Sequence, residues 1–190
     1  MNTQIKAIYQ KIKDLEEDLE KEINLAAEKL QYHFRENKVF FEQSIIEYHR
    51  KLKKTFFRYV IEASPYVVLT APVIYAMIVP LVFIDICVTL YQAICFPVYG
   101  IKKVPRSDFI VVDRHHLEYL NFYEKINCVY CGYGTGLAGY LREIVARTEK
   151  YWCPIKHAHR VKHPHALYQD FEEYGDAEGY RKLMKELKKK

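Results

Sequence analysis

The chain has 190 residues, of which 50% are hydrophobic and 28% are charged, and its net charge is +5. The positive charges lie beside an apolar segment and at the C-terminus rather than on a recognisable reading element, so we expect no nucleic-acid partner. A polar sequence follows Met1, which predicts a chain without a secretory signal peptide. We expect a mainly α-helical membrane protein with four parts: residues 1–62, 63–101, 102–165 and 166–190.

Residues 1–62 contain neither glycine nor proline, which predicts a long helical region. Apolar residues recur there at intervals of three and four, as in the seam of a coiled coil. The seam consists of Ile5, Ile8, Ile12, Leu15, Leu19, Glu22 and Ala26. It predicts association with a second copy of the chain or with a protein partner. The alternative is an antiparallel helical hairpin within the chain, with a turn near Arg35 to Lys38.

Residues 63–101 give the strongest membrane signal, because Asp85 is the one charge in these 39 residues. The first part, PYVVLTAPVIYAMIVPLVFI, has 20 uncharged residues. A helix of this length extends about 30 Å, which matches the hydrocarbon core of a bilayer. The segment is therefore predicted to be a membrane hairpin or a transmembrane segment.

Basic residues on both flanks of this segment indicate that both ends lie on the cytoplasmic side of the inner membrane. They are Arg50, Lys51, Lys53, Lys54 and Arg58 before it, and Lys102, Lys103 and Arg106 after it. One continuous helix would be about 58 Å long, nearly twice the bilayer core, so a helical hairpin is favoured. The hairpin either crosses twice, with a far-side turn between Pro80 and Asp85, or enters and returns without crossing.

Residues 102–165 contain the ligand types of a Cys3His metal site. CVYCGY supplies two cysteines at the spacing of a metal-binding turn, and CPIKH supplies a cysteine and a histidine four residues apart. Three thiolates and an imidazole fill the tetrahedral shell of zinc, so we expect a structural zinc ion. The predicted ligands are Cys128, Cys131, Cys153 and His157.

This site requires the chain to reverse direction between its two halves. LAGYLREIVARTEKY predicts a helix from about Leu137 to Thr148, roughly 18 Å long, so the connectors on either side must return along it. His159 and His163 are alternative fourth ligands. A redox pair of the first two cysteines, or unliganded thiols, are the alternatives to a metal.

CVYCGY is similar to the first metal knuckle of rubredoxins, and Cys153 with Pro154 is similar to the start of their second. This resemblance implies iron and electron transfer, but rubredoxins use a fourth cysteine where this chain has His157, which favours zinc. A longer stretch, DRHHLEYLNFYEKINCVYCGYGTG through REIVARTEKYWCPIKHAHR, resembles a family of uncharacterised bacterial membrane-associated proteins over roughly residues 80–180. The family implies no known activity.

Residues 166–190 predict a basic helical tail, which either contacts anionic lipid headgroups or is a solvated terminus. Its lysines are Lys182, Lys185, Lys188, Lys189 and Lys190. The sequence has no phosphate-binding loop and no GxSxG or HExxH motif, so we predict a non-enzymatic function. That function is a membrane-anchored, zinc-stabilised adaptor or assembly protein. The alternatives are a membrane-bound rubredoxin-like iron carrier and a monotopic enzyme acting on a lipid-linked substrate.

Overall fold

The computed structural model describes residues 3–29, 32–35, 38–55, 61 and 64–188. The predicted basic residues Arg58, Lys189 and Lys190 lie outside this part of the chain. The described part is mainly helical, as the sequence predicts. It divides into an N-terminal unit, Met1–Tyr59 with Asp113–Lys125, and a C-terminal unit, Val60–Val112 with Ile126–Lys190.

The N-terminal unit begins with helix α1, Thr3–Lys29, followed by strands β1, Tyr32–Arg35, and β2, Lys38–Phe41, and by helix α2, Gln43–Leu52. The two strands are antiparallel, and their register pairs Tyr32 with Phe41 and Arg35 with Lys38. The reversal near Arg35 to Lys38 is therefore confirmed, although it joins strands rather than helices.

The prediction that residues 1–62 are helical throughout is wrong at the two strands. Their sequences, YHFR and KVFF, are rich in aromatic and β-branched residues, which favour extended backbone. The absence of glycine and proline removes helix breakers, but it does not by itself make such residues helical.

Helix α2 packs against the part of the N-terminal unit that follows Val112. The ring of His49 lies edge-on to Phe41 at 5.3 Å and to Tyr119 at 5.1 Å. Arg50 forms an ion pair with Glu118 at 3.5 Å between Nε and Oε2. These contacts join residues that are far apart in the sequence into one unit.

The C-terminal unit begins with helices α3, Pro65–Ala76, and α4, Ile78–Tyr99. Met77 lies between them in right-handed helical conformation, and α4 ends at Gly100, whose φ of +67° is left-handed. The predicted turn between Pro80 and Asp85 is wrong, because these residues lie inside α4. Pro80 is in the first turn of α4, where a missing N–H is tolerated, so it does not reverse the chain.

Helix α5, Phe122–Trp152, is 31 residues long. A capping box begins it, since the Asn121 side chain accepts from the Glu124 N–H at 3.0 Å and the Glu124 side chain accepts from the Asn121 N–H at 2.8 Å. The helix predicted from Leu137 to Thr148 is confirmed as part of α5. The predicted return of the chain along it is wrong, because α5 continues through both presumed connectors.

The core of the C-terminal unit lies between α4, α5 and the segment that follows α4. Its buried apolar residues are Phe96, Val104, Leu137, Tyr140 and Ile144. A last helix, α6, Ala177–Leu187, confirms the helical character predicted for the tail. The Asp176 side chain caps it by accepting from the Gly179 N–H at 2.9 Å.

Candidate functional site

The predicted metal ligands fall at opposite ends of α5. Cys128 and Cys131 lie near its beginning, one helical turn apart rather than on a hairpin, and Cys153 follows its last residue. Cys131 and Cys153 are 22 positions apart in the sequence. At 1.5 Å per helical residue, this corresponds to about 33 Å, which is far beyond the reach of one metal ion.

His157 follows Cys153 in irregular structure, where its N–H donates to the Tyr168 hydroxyl at 2.6 Å and its ring stacks on that of Tyr168. His159 and His163 are exposed in the same segment. No group of three or more His, Cys, Asp or Glu side chains among the described residues could hold a metal ion. The two halves of the predicted site are thus not brought together, and zinc binding stays a prediction.

The environment of Cys153 disfavours a thiolate. The residue is exposed overall. Partial burial of its thiol, and then the neighbouring Glu149 carboxylate, raise the pKa of Cys153 above its ordinary value. The neutral thiol is therefore the main form near pH 7, and it is a weaker metal ligand and nucleophile than a thiolate.

The structure brings together a polar cluster around Asp85 that sequence reasoning missed. Asp85 accepts from Arg106 at 2.6 Å (Nη2 to Oδ2) and at 3.3 Å (Nε to Oδ1), and from the Tyr133 hydroxyl at 2.9 Å. The Asp85 side chain is 13% exposed. The signal in the sequence was the lone charge in an apolar segment, but its partners are 21 and 48 positions away.

The two donors of the Asp85 cluster, Arg106 and Tyr133, complement the negative charge of the Asp85 carboxylate. The hydrogen bond from Arg106 to Asp85 raises the pKa of the guanidinium. Burial, followed by the hydrogen bond to the Asp85 carboxylate, raises the pKa of Tyr133. Both groups therefore stay protonated near neutral pH and act as donors. The cluster fixes the chain that follows α4 to the middle of that helix.

A second polar contact lies about two turns further along α4. Gln92 is buried, and its side chain accepts from the Val104 N–H at 2.9 Å and donates to the Tyr140 hydroxyl. Together with Asp85, it shows that residues 101–112 run back along α4 and that α5 lies beside it. One face of α4 is therefore covered by protein, with the apolar core and these two polar contacts along it.

The opposite face of α4 is an exposed stripe of large apolar side chains. The exposed stripe consists of Val79, Val82, Phe83, Ile86, Leu90, Ile94 and Val98. Helix α3 exposes apolar residues on more of its circumference. Within the described residues, Pro65–Tyr99 is the candidate membrane span by length and composition. Water is an unfavourable environment for a continuous apolar surface of this length.

A second exposed apolar surface lies on α1. The seam residues Ile8, Ile12, Leu15 and Leu19 are 46 to 68% exposed along this 27-residue helix. Strands rather than a second helix follow α1, and within the described N-terminal unit these four side chains are uncovered, so the predicted helical hairpin is wrong.

Comparisons with protein-family models, with curated proteins and with solved structures each found no match to this chain. The resemblances to rubredoxin knuckles and to bacterial membrane-associated proteins therefore stay predictions.

Proposed function

We propose that this chain is a membrane-anchored assembly protein: helices α3 and α4 attach it to a membrane, and the seam of α1 pairs with α1 of a second copy. The observation that carries the proposal is the coexistence of two exposed apolar surfaces with different geometries. The apolar surface of α3 and α4 extends over the 35 residues Pro65–Tyr99, which are long and apolar enough to contact a bilayer. The α1 surface is a narrow stripe at coiled-coil spacing, suited to one partner helix.

The charges of α1 favour a second copy as its partner. Residues 3–13 carry Lys6, Lys11 and Lys13 and no acidic residue, whereas residues 14–22 carry six acidic residues and one lysine. An antiparallel pair that overlaps along the seam places the lysines of residues 5–13 opposite Asp18, Glu20 and Glu22 of the other copy. A parallel pair instead brings Glu22 of each copy together in the seam, which is repulsive.

Crosslinking in membranes and sedimentation in detergent test the pairing. We expect the unmodified protein to form a dimer, and Leu15→Asp combined with Leu19→Asp to abolish it, because two carboxylates then lie in the middle of the seam. A matched control is Gln10→Asp combined with Asn24→Asp, which changes the net charge equally but outside the seam. The control should remain dimeric.

Three results would count against this function. A monomeric unmodified protein would overturn self-association. A different protein crosslinked to the seam around Leu15 and Leu19 would show that the partner of α1 is heterologous rather than a second copy. Loss of the double Asp variant from the membrane would show that α1 belongs to the protein's own folded core.

The iron-carrier alternative loses its geometric basis, since Cys128 and Cys131 lie on a helix and Cys153 lies at its far end. Zinc is likewise not needed for the proposed function.

A further inference from the structure

The covered and exposed faces of α4 divide the helix lengthwise. The covered residues repeat at three and four positions, as one face of a helix does: Leu81, Ile84, Asp85, Val88, Tyr91, Gln92, Cys95, Phe96 and Tyr99. The exposed stripe lies between them and runs over the same length. Lipid can therefore reach one side of α4, while the other side is occupied by protein from Leu81 to the end of the helix.

The charged segment after α4 runs back along the covered side of the helix as far as Asp85. Arg106 follows the end of α4 by seven positions but pairs with Asp85, which is 14 positions before that end. At 1.5 Å per residue, Asp85 lies about 21 Å from Tyr99 along the helix. If α4 crossed a bilayer with Tyr99 at the surface, Asp85 and the Arg106 guanidinium would lie about 21 Å deep, inside its core of about 30 Å. Charged residues are rare and costly at that depth.

Among the described residues of the C-terminal unit, the part of α3 that makes no side-chain hydrogen bond to α5 is too short to cross a bilayer. At the end of α3, Tyr75 donates a hydrogen bond to Asn127, and Tyr130 donates one to the Ile74 carbonyl at 2.8 Å. The stretch free of such contacts is therefore Pro65–Val73, about 14 Å long as a helix, or half of the hydrocarbon core.

Groups typical of the membrane interface lie at the end of the exposed stripe. The Tyr99 ring stacks on Tyr151 at 5.0 Å, and Trp152 packs edge-on against Tyr99 at 5.4 Å. Lys102 and Lys103 follow and are exposed. Tyrosine and tryptophan favour the headgroup level of a bilayer, and lysines there attract anionic headgroups.

We propose that α4 lies in the plane of the membrane, inserted in one leaflet, with its exposed stripe on the acyl chains and its covered face, which packs on residues 101–112 and α5, toward the cytoplasm. This inference rests on the membrane attachment in the proposed function and specifies its geometry. It makes the protein monotopic, with a bilayer leaflet as the partner of the stripe.

Depth-dependent tryptophan quenching tests the orientation in full-length protein. Trp152 is the single tryptophan, so Trp152→Phe gives a background into which Phe83→Trp, Leu90→Trp or Val98→Trp is introduced. All three positions are exposed, so the fold should tolerate them. The vesicles contain phosphatidylethanolamine and phosphatidylglycerol, with lipids brominated either near the headgroup or near the chain end.

We expect the three tryptophans to report the same shallow depth, with stronger quenching by the bromine nearer the headgroup. A transmembrane α4 would instead place Phe83→Trp about 22 Å deeper than Val98→Trp, and that gradient would overturn the in-plane orientation alone. Absence of quenching by either lipid at all three positions would overturn membrane attachment, and with it the proposed function. Unmodified Trp152 provides the reference for the interface.

Discussion

Asp85 is held by donors from two other parts of the C-terminal unit, so its substitution should loosen the fold. In Asp85→Asn, the charge that pairs with Arg106 is lost. Because Arg106 is 48% exposed, water screens part of the interaction, and we expect the free energy of unfolding to fall by about 1–2 kcal/mol. Denaturant unfolding in detergent micelles measures this change.

Thr89→Val is the control for that measurement, since the Thr89 hydroxyl lies 3.4 Å from Asp85 and forms a weaker hydrogen bond. Its effect should be well below that of Asp85→Asn. Equal effects of the two substitutions would show that the ion pair with Arg106 contributes little.

The cysteines provide a second test at the residue scale. Because α5 separates them by about 33 Å, Cys131 and Cys153 should form no disulfide within one chain under mild oxidation. Mass spectrometry after proteolysis checks this. One zinc ion per chain that is lost in both Cys131→Ser and Cys153→Ser would show instead that α5 is broken between them and that the sequence prediction is correct.

Alanine substitutions at two glycines of α5 test how closely this helix packs on its neighbours. A Cβ at Gly136 would lie 2.5 Å from the Phe109 carbonyl oxygen and 2.8 Å from the Ile110 Cα, so α5 and the segment after α4 would have to separate. A Cβ at Gly134 would lie 3.5 Å from the Leu81 Cδ1, an ordinary contact. Both positions are helical, where alanine is favoured over glycine by up to about 1 kcal/mol.

Gly136→Ala should therefore destabilise the protein by about 1–3 kcal/mol, the usual cost of overpacking, and Gly134→Ala should leave it unchanged or slightly more stable. Thermal unfolding in detergent distinguishes the two. Equal melting temperatures would contradict the close approach of α5 to Phe109 and Ile110.

The element types were largely predictable from sequence, and the errors have common physical causes. Apolar spacing identified α1, and the uncharged run identified the α3 and α4 segment. The β-hairpin is not predicted because the absence of glycine and proline favours helix, whereas its aromatic residues prefer extended backbone. The sequence predicts too short an α5 because the CVYCGY spacing indicates a metal-binding turn, whereas this run is helical and its neighbour Gly136 permits close packing.

At the scale of the whole molecule, the sequence could not predict which residues meet. The metal hypothesis rested on local spacing within CVYCGY and CPIKH, but bringing the two together depended on a chain reversal that α5 does not make. No local sequence motif relates the residues of the Asp85 cluster. Arg106 and Tyr133 approach Asp85 only after residues 101–112 fold back along α4. Contacts of this kind follow from packing rather than from motif.

The last prediction concerns topology: the regions around Lys13 and Lys156 should lie on the same, cytoplasmic side of the membrane. Basic residues flank the apolar segment on both sides, including Lys53 and Lys54 before it and Lys102 after it, and each flank favours the cytoplasm. Within the described part of the C-terminal unit, Pro65–Val73 makes no hydrogen bond to α5, and at about 14 Å it is too short to carry the chain across.

Labelling with a membrane-impermeant maleimide measures this topology. In a variant whose native cysteines are replaced by serine, Lys13→Cys and Lys156→Cys should both be unreactive in intact cells and both react in inside-out vesicles. A cysteine placed in a known periplasmic protein controls for access of the reagent. Reaction of one site in intact cells and of the other in vesicles would mean that the segment crosses the membrane once, and would exclude the monotopic arrangement.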